Sequence, residues 1–360
     1  MILTAKTYCP ALGWRQGEYQ ALLRLADATK DRIAPIITVP PIEYDFEERR
    51  AKRTVEAHIE PFAKRFSQKW KDRFAWVAPH PELQKAGVGE AINVTQRLFE
   101  DLRDAKCNVA PLCNLADATL ATTEAAIIAE DKRGCALRVT LEDFMRPSFE
   151  TDGSARLAAL GVTPDDVDII LDMLSPAFEP YDVFAKILAG KLQASTLVQK
   201  ARNFILLGSA IPGSLKDIAM PWGEIPRHDW LFYNALRSQT PAGSRQPTYG
   251  DYTTVSPGFV VLDMRKIKVA GKIVYADQKR WLVRKGGAFR PNPAQMHDHC
   301  AAIVGTSAFG GAAYCHGDDY IAKCAVKTEG PSTLTRWKQV AINRHMTLTV
   351  NQIASLGASA

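Results

Sequence analysis

The chain is short of the signatures that announce a chemistry. No apolar run is followed by GxGxxG or GxxxxGK[ST], so the glycine-rich phosphate loops of nucleotide-binding α/β proteins have no sequence support. A GxSxG nucleophile elbow is also absent. The 7 cysteines are scattered without a CxxC pair, which argues against a disulfide framework and fits reduced thiols. Cys113 and Cys135 fall inside apolar runs and read as core filler. No apolar stretch is long enough to cross a bilayer. The opening Met1-Ile2-Leu3-Thr4-Ala5-Lys6 lacks the layout of a signal peptide. A cytoplasmic protein without a membrane partner is therefore expected. Internal repeats and low-complexity tracts are missing as well.

What the chain does have is a rhythm. Apolar runs fall at 3–8, 33–39, 74–78, 109–113, 135–140, 167–171, 204–207 and 248–255. Most are parted by segments with helical spacing, such as 16–30, 91–105 and 181–200. Strands alternating with helices imply βαβ units joined by right-handed crossovers. Eight such units predict an α/β fold, a (β/α)8 TIM-like barrel, instead of an open doubly wound sheet. Two features pull against this: Pro35 and Pro111 sit inside strand runs, and the eighth run is polar and carries Gly250.

After residue 255 the pattern changes. Residues 272–275 and 281–283 flank a polar loop and predict a β-hairpin, inserted after strand 8 within 259–290. An apolar stretch at 259–262 belongs to the same insertion. Residues 293–304 are expected to be the closing helix of the barrel. The expected organisation is a barrel over 1–310 with a C-terminal extension over 311–360 packed on it. Within that extension, 346–350 fits either a helix or a strand. At 360 residues the chain exceeds a typical barrel of about 250, and the two additions account for the excess.

Barrel enzymes place their catalytic groups at the C-terminal ends of strands. That rule selects Lys6 and Tyr8, Glu43 and Asp45, His80, Asn114, Glu142 and Asp143, Asp172, Ser209, and Asp251 with Tyr252. Glu43, Glu142, Asp172 and Asp251, converging on one mouth, would hold a divalent ion such as Mg2+ or Mn2+ through oxygen ligands, or act as an acid/base pair. Lys6 would stabilise developing negative charge. The plainer account is that helix N-termini follow strand ends and favour acids as caps and dipole partners. Asp45 and Asp143 fit it well, and Tyr249-Gly250-Asp251-Tyr252 is turn-like.

The histidines offer little. In His297-Asp298-His299-Cys300 the i and i+2 positions face apart on a helix. His316 with Asp318 and Asp319 lies in a glycine-rich stretch, and Asn343-Arg344-His345 suits packing. No cysteine has an evident histidine partner.

A net charge of +6 makes weak attraction to polyanions expected. Basic residues concentrate at 49–53 and around the hairpin. There Lys279, Arg280, Trp281 and Arg284 would grip phosphates and stack a base. The alternative is a charged, solvated edge that discourages strand aggregation.

Several stretches resemble the beta family proteins of bacteria and phages. The carrying residues are Tyr8-Cys9-Pro10-Ala11-Leu12, Arg15-Gln16-Gly17-Glu18-Tyr19-Gln20-Ala21-Leu22, Ile33-Ala34-Pro35-Ile36-Ile37, Tyr249-Gly250-Asp251-Tyr252 and 337–345. The resemblance implies a setting among phage and mobile-element genes, with anti-phage roles. It brings no catalytic residues to carry over.

Three functions follow as expectations. The first is a cytosolic phage-defence or mobile-element barrel that binds nucleic acid, or a protein partner from the same operon, through its mouth and basic hairpin. The second is a metal-dependent phosphodiester hydrolase using the strand-end carboxylates. The third is a structural partner subunit with a degenerate barrel. The sequence leaves open whether the protein is an enzyme and which cofactor it would take.

Overall fold

The structure is a computed structural model that describes residues 2–258 and 267–356. The chain divides into two compact units. The first comprises 1–14, 34–208 and 229–251; the second comprises 15–33, 209–228 and 252–360. The expected grouping of 1–310 with a separate 311–360 divides the chain differently.

The strands, in chain order, are β1 (Cys9–Leu12), β2 (Ile36–Val39), β3 (Tyr44–Asp45), β4 (Arg50–Ala51), β5 (Ala75–Pro79), β6 (Val109–Asn114), β7 (Cys135–Thr140), β8 (Val167–Asp172), β9 (Asn203–Gly208), β10 (Trp222–Pro226), β11 (Thr248–Asp251), β12 (Ala270–Ala276) and β13 (Arg280–Ala288). In the first unit eight of them close a barrel in the order β1-β11-β9-β8-β7-β6-β5-β2. Every neighbouring pair is parallel. The expected TIM-like barrel is thus the observed fold. Its strands read as apolar runs because both faces are covered: β8 and β9 are buried along their whole length.

One run is misplaced by the sequence. The first strand is Cys9–Leu12, not 3–8. Thr7 N–H donates to Thr4 O at 3.0 Å and Thr4 N–H donates to Thr7 Oγ1 at 3.0 Å, so this segment closes its polar groups on itself as a turn. Both suspect prolines are accommodated. Pro35 lies just ahead of β2. Strand β6 pairs with β5 through 109–111 and with β7 through 112–114, so Pro111 sits where the ladder passes from one neighbour to the other.

The weak eighth run is the strand that closes the barrel, between β9 and β1. A Cβ on Gly250 would lie 2.7 Å from Cys9 O and 3.3 Å from the Ile205 side chain. Glycine is there because the neighbouring backbone approaches that closely. Gly250→Ala is therefore expected to destabilise the fold by about 1–3 kcal/mol through overpacking, seen as a lowered urea midpoint at unchanged slope.

In the second unit β10, β13 and β12 form an antiparallel sheet in that order. The expected hairpin is β12–β13. Strand β10 carries no apolar run, since it is largely exposed and ends on Pro226. Residues 259–262 lie outside the described residues. The helix expected at 293–304 is Gln295–Val304, and it packs Met296, Cys300 and Ile303 against Ile273, Tyr275 and Leu282 of the sheet. It belongs to the second unit and is not the closing helix of the barrel. Residues 346–350 lie within the helix Leu334–Leu356, which is buried from Gln339 to Val350. A helix buried all round shows no amphipathic stripe, which is why its β-branched stretch was ambiguous.

Candidate functional site

Side chains alternate across a strand, so each barrel strand presents one set to the lumen and one to the outside. Asp168 marks the lumen at the N-terminal end. It accepts from Trp76 Nε1 on β5, 2.8 Å away, and from Asn203 Nδ2 on β9, 2.5 Å away. Arg202 Nε and Nη2 add bonds of 2.8 and 2.6 Å. Two and four residues further along β8, Ile170 and Asp172 share this face. Asp172 therefore stands at the C-terminal mouth, where the barrel rule places function.

There Asp172 holds two groups. Arg138 Nε on β7 donates to Oδ2 at 2.7 Å, and Nη2 bonds the same oxygen. Leu174 N–H donates to Oδ1 at 2.9 Å. Leu174 has φ of 55°, a left-handed conformation that is uncommon away from glycine. The Asp172 carboxylate thus fixes both a guanidinium and the turn that leaves β8. Asn114 on β6 is in register with Arg138 and shares the lumen face. The Arg138 side chain remains 31% exposed. The mouth consequently offers one oriented guanidinium, its charge balanced by Asp172, and the exposed amide of Asn114, groups suited to a hydrogen-bonding ligand.

The other sequence candidates do not converge on this mouth. Asp251 lies on the outer face of the wall, two residues from Tyr249 on the same strand. Tyr8 OH donates to Asp251, the Tyr8 ring stacks on Tyr249 at 5.9 Å, and Tyr249 OH donates to Asp229 Oδ2 at 3.1 Å. Asp251 is a buried acceptor for Tyr8, and it is Tyr249 that ties the wall to Asp229 of the helix His228–Gln239. Glu43 is exposed and paired with Lys52 at 2.8 Å. Glu142 is exposed and accepts from Arg146 Nη2 at 2.6 Å. Lys6 is exposed and precedes β1, so it stands at the N-terminal end of that strand. The misplaced first strand explains its selection. Asp143 completes a capping box at the start of its own helix: Thr140 Oγ1 accepts from Asp143 N–H at 3.1 Å, and the Asp143 carboxylate accepts from the Thr140 hydroxyl at 2.7 Å. Among the described residues no three His, Cys, Asp or Glu side chains are grouped to hold a metal ion. Glu43, Glu142, Asp172 and Asp251 therefore do not make the single Mg2+ or Mn2+ site expected of them.

The basic hairpin needs a larger correction. Trp281 is 1% exposed, with its ring 4.6 Å from that of His345 and the Arg227 guanidinium 5.7 Å away. A ring packed on both sides has no face for a base. Arg280 is neutralised by Glu224 at 2.9 Å and Asp277 at 3.3 Å. Arg284 lies over the Trp222 ring at 5.2 Å, and Lys279 is exposed. Arg227 is fully buried and donates to Gln352 Oε1 at 2.7 Å and Thr349 Oγ1 at 3.2 Å. These residues hold the sheet to the long helix. Lys279 and Arg284 remain without the aromatic partner the sequence assigned them.

Two features escaped the sequence rule. Arg138 is a lone charge inside an apolar run, a signal that was available. Tyr44 is the other. It is 42% exposed on the β3–β4 hairpin, edge-on to Phe46 at 5.1 Å, and its setting among acids hid it.

Among the described residues no helix is long and apolar enough to cross a membrane. Similarity to solved structures includes triosephosphate isomerase from Bartonella henselae, at 10% identity and a TM-score of 0.36, over 70% of this chain and 94% of that one. No curated protein matches. The model of the Beta protein family matches residues 8–351, almost the entire length, and the chain belongs to that family.

Proposed function

We propose that this protein serves a phage-defence or mobile-element system by binding single-stranded nucleic acid at the C-terminal edge of its barrel. The observation that supports this is the β3–β4 hairpin, which follows β2. Tyr44 presents an exposed ring there, and Arg49, Arg50, Lys52 and Arg53 flank it. Lys52 is neutralised by Glu43, and Arg50 meets Glu48 only at 4.0 Å. Arg49 and Arg53 have no ion-pair partner among the described residues. An exposed aromatic stacks a base, and unpaired cations beside it track the phosphates.

Because acids share the hairpin, stacking contributes more than charge. With two phosphate contacts, log K should fall against log salt with a slope of about −1.4. Fluorescence anisotropy with labelled single-stranded DNA and RNA checks this, with duplex DNA as the comparison. Tyr44→Ala should weaken binding by about 5- to 100-fold, the worth of one stacked base. Absence of binding, or an unchanged affinity in that variant, removes the reading.

A second reading, docking of a protein partner, draws on Val183 and Ile187. They are exposed one turn apart on the helix Tyr181–Ala194. Loss of a co-purifying partner in Ile187→Asp, with Tyr44→Ala unaffected, would favour it.

A further inference from the structure

The second unit contains a cleft of about 360 Å3. We infer that it binds a small phosphate monoester carrying a planar ring, of the size of a nucleoside monophosphate. The volume lies within the ordinary range for small-molecule sites, about 300–1,000 Å3.

The lining divides into two chemistries. One side is cationic and polar. Arg24 is exposed at the rim and has no ion-pair partner among the described residues. His316 lies beside it, and its Nε2 is shielded from solvent and has no hydrogen-bond partner. Thr29 adds a hydroxyl. The carboxylate in the lining, Asp319, is neutralised by Lys323 at 2.8 Å, so the local charge stays positive. A guanidinium with a neighbouring imidazole suits a phosphate dianion, which takes several charge-assisted hydrogen bonds.

The other side is apolar and aromatic. Leu25, Ala26 and Ala312 are small or flat, and the Tyr314 ring stands with them. That ring is held from behind: the Arg344 guanidinium lies 4.4 Å from its centroid and 4.8 Å from that of Tyr275. Arg344 in turn faces Asp318 at 3.7 Å. A ring fixed in this way is preorganised to pack against a second planar group.

The charges facing His316 also give the site a pH signature. They are Arg24, just past the helix Gln16–Leu23, Arg336 from the long helix, and Asp319 and Lys323 from its own helix, His316–Ala325. Burial is the main cause that holds His316 below the usual histidine range, and the cations add to it. A bound phosphate would reverse part of that effect by favouring the imidazolium. By linkage, His316 should then favour binding as pH falls, against the opposing loss of the monoester's second charge near pH 6.

Isothermal titration calorimetry on the full chain, with adenosine 5′-monophosphate, adenosine and inorganic phosphate at pH 6 and pH 8, tests this directly. The monophosphate should bind saturably and more tightly than adenosine, and the ratio of the parent's affinity to that of His316→Gln should rise from pH 8 to pH 6. Arg24→Ala removes an exposed side chain and leaves the core intact, so it separates binding from folding. It should weaken the monophosphate by about tenfold and leave adenosine unchanged. His316→Gln should remove the contribution that grows at low pH and leave the weakening that protonation of the monoester itself brings near pH 6. Equal affinities for adenosine and its monophosphate, no saturation with any of the three, or an Arg24→Ala protein that binds like the parent would each overturn the inference. The site is independent of the Tyr44 hairpin, so Tyr44→Ala should not alter it.

Discussion

Asp168→Ala is expected to destabilise the protein by about 3–5 kcal/mol, the usual consequence of removing one partner of a buried ion pair. The carboxylate is fully buried and is the acceptor for Trp76, for Asn203 and for two nitrogens of Arg202. Removing it strands all of those donors in the barrel interior, each at its desolvation cost. Arg202 also donates to Arg133 O at 2.9 Å, but that bond cannot balance its charge. Asp168→Asn should also destabilise, because an amide nitrogen replaces one acceptor where only donors converge. Urea unfolding should show the midpoint fall at unchanged slope. A loss below about 1 kcal/mol for the alanine variant would show that the barrel base does not depend on this carboxylate. Asp168 lies at the N-terminal end of its strand, where barrel residues serve stability, so nucleic-acid affinity per folded molecule should be unchanged.

Asp318 is expected to make the second unit less stable as pH rises from about 4 to about 7. Burial pushes its carboxyl up from 3.8 to about 6, and Arg344 and the Tyr275 hydroxyl offset this only in part. Between those two values the folded chain holds a proton that the unfolded chain has released. The stabilising contribution is complete below the unfolded value and is lost as pH rises through the folded one. The full difference is about 3 kcal/mol, from roughly two pK units. Other carboxylates act in the opposite sense at acid pH, so the informative quantity is the difference between the parent and Asp318→Asn. Melting temperatures of the two, measured from pH 4 to pH 7.5, should converge at low pH and separate as pH rises, with the parent losing more. Parallel curves would assign Asp318 an ordinary carboxyl.

The site was less legible than the fold, for identifiable reasons. Strand-end bookkeeping found Asp172 but missed its partner, because Arg138 belongs to a neighbouring strand and meets Asp172 only through sheet register. The same rule credited Asp251 with a place at the mouth. Which face a strand presents depends on the pleat, and one residue of slip exchanges lumen for outside. Trp281 beside Lys279 and Arg280 had the composition of a base-stacking patch. Composition says nothing of what covers a ring, and His345 and Arg227, far along the chain, cover this one.

Local pattern carries the alternation of buried strands with helices, and with it the closed parallel barrel. Each strand hidden on both faces must be apolar along its length, so a local pattern carries that information. It also determined the hairpin, whose paired runs and polar turn are local too. The tertiary structure alone decided which acids face the lumen, which cations are already paired, and which aromatic remains open to solvent. It also decided that the C-terminal helices belong with the three-stranded sheet. Those outcomes depend on residues brought together from distant parts of the chain, and side-chain neutralisation and burial are properties of such pairs, not of any one residue.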